Sequence, residues 1–242
     1  NLWIATGGGG LDYYNRKSEK FSYVNAPLNL GIDAGFVESI AEDDNAVWLG
    51  TLYGLFRYDK TSKSLTRLQL ARGANFNGHA PVIFALEKSK KGGLWIGTQL
   101  GLFYKDQLGN ITVYTHQQGN SKSLANDQIT YLSEDRDGDL WIGRLNGLSL
   151  FSVKNGFFTN FNKQNANVRI NSVFSVKQDS RGIVWVGTHE NGLVYYDKIR
   201  QTFGVIDNRF GLPDASVRGI AEDNSGNLWV SCSNDISKII FK

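Results

Sequence analysis

An apolar residue, a tryptophan, a second apolar residue and a small residue recur along this chain, in five of six copies followed within a few positions by a glycine and a leucine. The fourth copy reads Leu140-Trp141-Ile142-Gly143-Arg144, with Gly147-Leu148 just beyond. Other copies begin at Leu2, Val47, Leu94, Val184 and Leu228, and together they hold all six tryptophans, spaced 45, 47, 46, 44 and 44 residues apart. A spacing that regular is the signature of a repeat architecture.

Around each tryptophan the polar and apolar positions predict short strands, rich in branched and aromatic residues and bounded by Gly, Asn, Asp and Ser. In the second repeat these are A (residues 37–42), B (47–51), C (55–58) and D (64–68). The third predicts strands over 82–87, 94–98, 102–104 and 111–114, the fourth over 129–134, 140–144, 148–151 and 157–161, and the fifth over 173–178, 184–188, 193–196 and 202–206. The first repeat offers only B, C and D (2–6, 11–15, 20–24), and the sixth only A, B and C (217–222, 228–232, 236–241). Four short strands in 44 to 47 residues match the blade of a β-propeller, whose sheets bury their faces on one another. The fold expected is therefore all-β, a propeller of four-stranded antiparallel blades with six Trp-bearing repeats, the first and last incomplete. The repeats run approximately over 1–36, 37–81, 82–128, 129–172, 173–216 and 217–242, as one propeller domain or a fragment of one. Six complete blades need about 270 residues at this period, which predicts part of a seven-bladed or tandem propeller. Each strand-B tryptophan is expected to lie between blades, and the glycine of Gly-Leu to take a positive φ in the B–C turn.

Composition narrows the chemistry. The formal net charge of +3 comes from 26 basic residues scattered among 23 acids, without the basic stripe that a nucleic-acid partner requires. No apolar run approaches the roughly 20 residues of a membrane span, so direct membrane insertion of this region is not expected. The one cysteine, Cys232, allows neither an internal disulfide nor a cysteine metal cluster, and is expected to be buried.

The fourth repeat, Ile129-x-x-Leu132-x-Glu134-Asp135-x-x-Gly138-x-Leu140-Trp141-Ile142-Gly143, resembles the two-component regulator propeller repeat, and the resemblance extends over essentially the whole chain. Departures are Ala5 and Ser231 for the small glycine, Arg144 and Cys232 for the threonine, and Asp235-Ile236 for Gly-Leu. The resemblance implies a non-catalytic, extracytoplasmic sensor propeller of a membrane-anchored bacterial signalling protein, a hybrid histidine kinase or a diguanylate cyclase. It also implies a small-molecule ligand, with a saccharide as one candidate, a homodimer formed through the parent protein, and no cofactor. The alternatives are a propeller lyase resembling streptogramin lyase and a passive protein-interaction platform.

In a propeller the D–A connections and B–C turns share one face, and function sits on loops held by the rigid blades. That face supplies the candidate ligand-binding residues Tyr53, Gln99, Arg144, His189 and Glu190 from B–C turns, and Arg72, Phe76 and His79 from a D–A loop. Arg144 stands where four other repeats have Thr, and its planar fork of donors suits a carboxylate or phosphate; the plainer reading is a surface salt bridge. Arg72, Phe76 and His79 combine a ring with cationic and polar donors, or form a polar turn. His189-Glu190 could mark a metal or an acid–base pair, but neighbours at a strand end should point apart and no other histidine has ligand spacing. Asp135 to Asp139 imitates half a calcium loop, yet Asn146 stands where the bidentate Glu belongs, so a hairpin turn is expected. No catalytic residue and no metal ligand is expected.

Overall fold

The computed structural model describes residues 1–7, 9–24, 36–70 and 80–241. Its strands are β1 (Leu2–Thr6), β2 (Gly10–Asn15), β3 (Lys20–Val24), β4 (Val37–Glu42), β5 (Ala46–Thr51), β6 (Gly54–Asp59), β7 (Leu65–Leu68), β8 (Ile83–Lys88), β9 (Leu94–Thr98), β10 (Gly101–Lys105) and β11 (Ile111–Tyr114). They continue as β12 (Ile129–Glu134), β13 (Leu140–Arg144), β14 (Gly147–Ser152), β15 (Phe157–Phe161), β16 (Val173–Gln178), β17 (Ile183–Thr188), β18 (Leu193–Asp197), β19 (Thr202–Ile206), β20 (Val217–Glu222), β21 (Leu228–Cys232) and β22 (Ile236–Ile239). These form six antiparallel sheets in chain order, four of them four-stranded and the first and last three-stranded. The chain is an all-β propeller of six blades, as its repeat predicts. It divides into two compact units, Asn1–Val113 and Tyr114–Lys242.

The repeated residues have distinct physical roles. Trp48 packs with Ile83, Leu86, Leu94 and Ile96 of the following blade. Likewise Trp141 meets Val173, Val176, Val184 and Val186, and Trp185 meets Val217, Leu228 and Val230. Burying one such ring removes about 150–250 Å² from contact with water, which makes it the main apolar link between neighbouring sheets. Two residues on, strand alternation brings the small residue to the same face. A Cβ on Gly143 would come within 2.6 Å of Val173 Cγ1, and one on Gly187 within 2.7 Å of the Val217 carbonyl oxygen. The glycine is thus required by the close approach of the next blade's A strand. Trp229, in the last sheet, is 43% exposed.

Two side-chain devices fix the turns. At the A–B hairpins Asp43, Asp135, Asp179 and Asp223 accept the indole N–H of their own blade's tryptophan at 2.8, 3.0, 2.8 and 3.1 Å, together with backbone N–H groups of the turn. The third blade has Ser89 at this place, accepting the Lys91 N–H. At the B–C turns Thr6, Thr51, Thr98 and Thr188 donate their hydroxyls to the carbonyls of Gly10, Gly54, Gly101 and Gly192, and accept a backbone N–H from within the turn. Gly147 has φ +127° in the equivalent turn, as expected of the glycine in Gly-Leu. In the second unit the hairpins are also stitched from blade to blade. Arg136 donates to Gln178 and Ser180, Ser180 donates to Glu222, and Lys198 reaches back to Asp135 and Asp137 at 2.7 and 2.6 Å.

The half-calcium loop is thus a hairpin turn, with Asp135 saturated by two backbone N–H groups, Trp141 and Lys198. Burial works to lower the Lys198 pKa, but the hydrogen bonds it donates to Asp135 and Asp137 outweigh this and raise it. Cys232 is buried, with its thiol pushed up by burial. No helix among the described residues is long and apolar enough to cross a membrane; this says nothing of a β-barrel.

Candidate functional site

The sequence-predicted residues fall in different places. Tyr53 is 44% exposed on the β5–β6 turn, and Gln99 is half-buried on the β9–β10 turn with its side-chain oxygen buried and unbonded. Both belong to the first compact unit, and His189 and Glu190 to the second. Arg72, Phe76 and His79 lie outside the described residues.

Arg144 corrects its sequence reading. It is not displayed at the surface in a salt bridge: it is only 4% exposed, at the end of β13. Its Nη2 donates to the Leu148 carbonyl at 3.2 Å while Nε is buried without a partner, so the guanidinium bridges the turn where other blades use threonine. Burial pulls its pKa down to about 10. By strand alternation its side chain leaves the sheet on the face opposite Trp141 and Gly143, which separates it from the groups around His189.

His189 and Glu190 also depart from expectation. Both stand beyond the end of β17, so the alternation of a strand does not govern them, and His189 Nδ1 lies 3.6 Å from Glu190 Oε1. The His189 N–H donates to the Ser172 carbonyl, and the Ser172 N–H donates to that of Leu145. Ser172 thereby ties the B–C turns of the fourth and fifth blades together. Among the described residues no group of three His, Cys, Asp or Glu could hold a metal ion.

Within the second unit a cleft of about 630 Å³ opens between residues 167–169 of one D–A connection and 207–215 of the next, over the β17–β18 turn. Its polar lining includes Asn167, Arg169, Glu190, Asn191, Asp207, Arg209 and Asp214. Asp207 caps a 3₁₀ turn at Asn208–Phe210 and binds Arg209 through both carboxylate oxygens. The Arg209 side chain thereby lowers the Asp207 pKa, and Asp207 raises that of Arg209. Asn191 carries a buried side-chain oxygen with no hydrogen-bond partner. The cleft therefore offers amides, carboxylates and a guanidinium on a turn-fixed frame, a set suited to orienting a small polar ligand. Of the residues the sequence singled out, Glu190 lines this cleft; Asn191, Arg169 and the Asp207–Arg209 pair were not singled out, because their convergence depends on which D–A connections face each other.

Comparisons with known proteins agree with this architecture. The model of the two-component regulator propeller matches residues 123–143, 167–190 and 211–234. A relative named histidine kinase P4, from Formosa agariphila, is 30% identical over 98% of this chain, which spans 18% of that protein's length. The extracellular domain of a hybrid two-component system from B. thetaiotaomicron superposes with a TM-score of 0.78 at 23% identity, over 98% of this chain and 31% of that one. A streptogramin B lyase superposes with a TM-score of 0.61 at 15% identity, over 84% of this chain and 67% of the lyase. At these identities the two structural likenesses show the fold alone. The period and the matched segments show that the blades over residues 123–143, 167–190 and 211–234 carry two-component regulator propeller repeats.

Proposed function

We propose that this propeller is the extracytoplasmic, non-catalytic sensor region of a membrane-anchored bacterial signalling protein, a hybrid histidine kinase or diguanylate cyclase. It captures a small polar ligand on its loop face and passes the event on through the parent chain. The observation that carries this reading is the cleft of about 630 Å³ over the β17–β18 turn, lined by amide and charged side chains on hydrogen-bonded turns. The repeats it shares with two-component regulator propellers and its relationship to a histidine kinase support the signalling role. A saccharide suits the cleft, because amides, carboxylates and guanidinium groups can each bond to vicinal hydroxyls. A homodimer of the parent protein is the proposed route by which capture is transmitted.

The test is thermal unfolding of the chain with a panel of mono- and disaccharides. A ligand at 100 times its Kd stabilises by about 2.7 kcal/mol, a readily measured rise in Tm. The expected result is stabilisation by one or more members, lost in Asn191→Ala and Arg169→Ala, with the ligand recovered unchanged. Recovery of a cleaved or eliminated product would favour a lyase. No shift across the panel, with specific capture of a purified protein, would favour an interaction platform.

A further inference from the structure

Every A strand from the second blade onward departs from regular pairing at the same point. The register slips between Val37 and Ser39, Ile83 and Ala85, Ile129 and Tyr131, Val173 and Ser175, and Val217 and Gly219. The extra residues are Glu38, Phe84, Thr130, Phe174 and Arg218. Each follows a buried Val or Ile, but the extra residue itself differs in chemistry from blade to blade while its backbone geometry recurs. A bulge re-aims a side chain out of the regular pleat. Within the second unit, Thr130, Phe174 and Arg218 are three such re-aimed positions at the strand end next to the D–A connections, and they form a natural reading surface.

In the second unit three of these residues are neighbours. The Thr130 hydroxyl donates to the Val173 carbonyl at 2.7 Å. The Arg218 guanidinium carbon lies over the Phe174 ring, 5.1 Å from its centroid. The His189 ring meets Phe174 edge-on, at 5.6 Å and 78°. Arg218 is exposed and has no hydrogen bond or ion pair among the described residues, while Phe174 is half-buried beneath it. A guanidinium resting on an aromatic face keeps its in-plane N–H donors available, and loses less rotamer freedom when it binds because it is already positioned. Those donors match the paired oxygens of a carboxylate or sulfate.

We propose that Arg218, seated on Phe174, reads an oxyanion on the ligand captured at the loop face, a carboxylate or a sulfate ester. This rests on the ligand-capture reading above and adds the chemical class to it. Arg218 supplies the charge-assisted donors, and Phe174 holds it in place.

The experiment titrates glucuronate, glucose 6-sulfate and glucose into the chain and into Arg218→Gln, Arg218→Lys and Phe174→Leu, reading Arg side-chain N–H resonances and calorimetric heats. At least one anionic sugar should bind ten-fold or more tightly than glucose. The anion that does so identifies carboxylate or sulfate as the source. Arg218→Gln should abolish the preference while leaving glucose binding within two-fold, Arg218→Lys should retain part of it, and Phe174→Leu should weaken the anion alone. Equal binding of all three sugars would overturn the oxyanion assignment and leave ligand capture standing. A preference that survives Arg218→Gln would overturn it too. Binding of none of the three also overturns it, and the broader panel then decides ligand capture by itself.

Discussion

Replacing Asp179 by Ala tests the physical reading of the repeat at its most concentrated point. The Asp179 side chain is fully buried. Its Oδ1 accepts the Arg181 and Ile183 N–H groups, each at 2.9 Å, and its Oδ2 accepts the Trp185 indole N–H at 2.8 Å and the Arg181 guanidinium at 3.0 and 2.6 Å. Alanine strands two turn N–H groups, the indole N–H and a cation together. Removing one partner of a buried pair costs about 3–5 kcal/mol, and each abandoned buried donor about 1–3 kcal/mol where water cannot replace the acceptor. Arg181 is about a third exposed and can turn to solvent, so the net cost is placed at about 3–5 kcal/mol. For a chain of this size that lowers Tm by roughly 6–20 °C. Circular dichroism follows the melt, and near-ultraviolet signals report the packing of Trp185. Asp179→Asn keeps an acceptor for the backbone but turns an amide donor towards the indole and guanidinium, so it should fall between wild type and Ala. A melting point within 1 °C of wild type for Asp179→Ala would refute the claim that this carboxylate holds the hairpin and orients the tryptophan.

Further expectations follow from the same geometry. Burial works to raise the Asp179 pKa, but the Trp185 and Arg181 hydrogen bonds outweigh it and hold it below 3.8; the Ser62 N–H first, then Arg57, bring Asp59 to about 2. Both folded values lie below the unfolded ones, so this contribution is complete above about pH 4 and is lost as the pH falls through the folded values. Urea melts across pH 2–7 should show that decline, and Asp179→Ala should flatten it. Gly187→Val would drive methyl groups into the Val217 backbone and side chain, which stand within 3 Å of an added Cβ; a loss of about 1–3 kcal/mol is expected from overpacking, measured by denaturant midpoint. Thr188→Val removes the hydroxyl that bonds Gly192 and Asn191, and should cost about 1 kcal/mol by leaving the half-buried Asn191 N–H without its acceptor. The buried Cys232 thiol, with its raised pKa, should react with a thiol reagent slowly in the folded chain and promptly in denaturant.

The blades were legible because their signal repeats. Six copies put Trp141 and its counterparts on one beat, and each strand-B tryptophan needs a neighbouring sheet to cover it. Even so, nothing in the sequence revealed that Asp135 or Asp179 would turn its carboxylate on to the indole six residues later. The threonine that closes strand B in four of the six copies was visible as a repeat element without its role of stapling the turn. Arg144 drew attention because it breaks that repeat, but a charge in sequence carries no burial, and this one turned back on to its own turn. The bulges at Thr130, Phe174 and Arg218 were hidden because an extra residue in one strand appears only once its partner's register is known. His189 and Glu190 were assigned a strand-end geometry that applies one residue earlier, where β17 stops. The cleft depends on two D–A connections meeting, and their spacing along the chain, some 40 residues, carries no local pattern.

A propeller that captures a ligand on its loop face returns that ligand untransformed. The most direct measurement is a backbone and side-chain NMR map of the stabilising ligand on the labelled chain, followed by mass analysis of the recovered ligand. Shifts concentrated on Arg169, Phe174, His189, Asn191 and Arg218 are expected, with the ligand returned intact. Shifts confined to the A–B hairpin face around Asp135 and Asp179, or recovery of a chemically altered ligand, would contradict capture without transformation on the loop face.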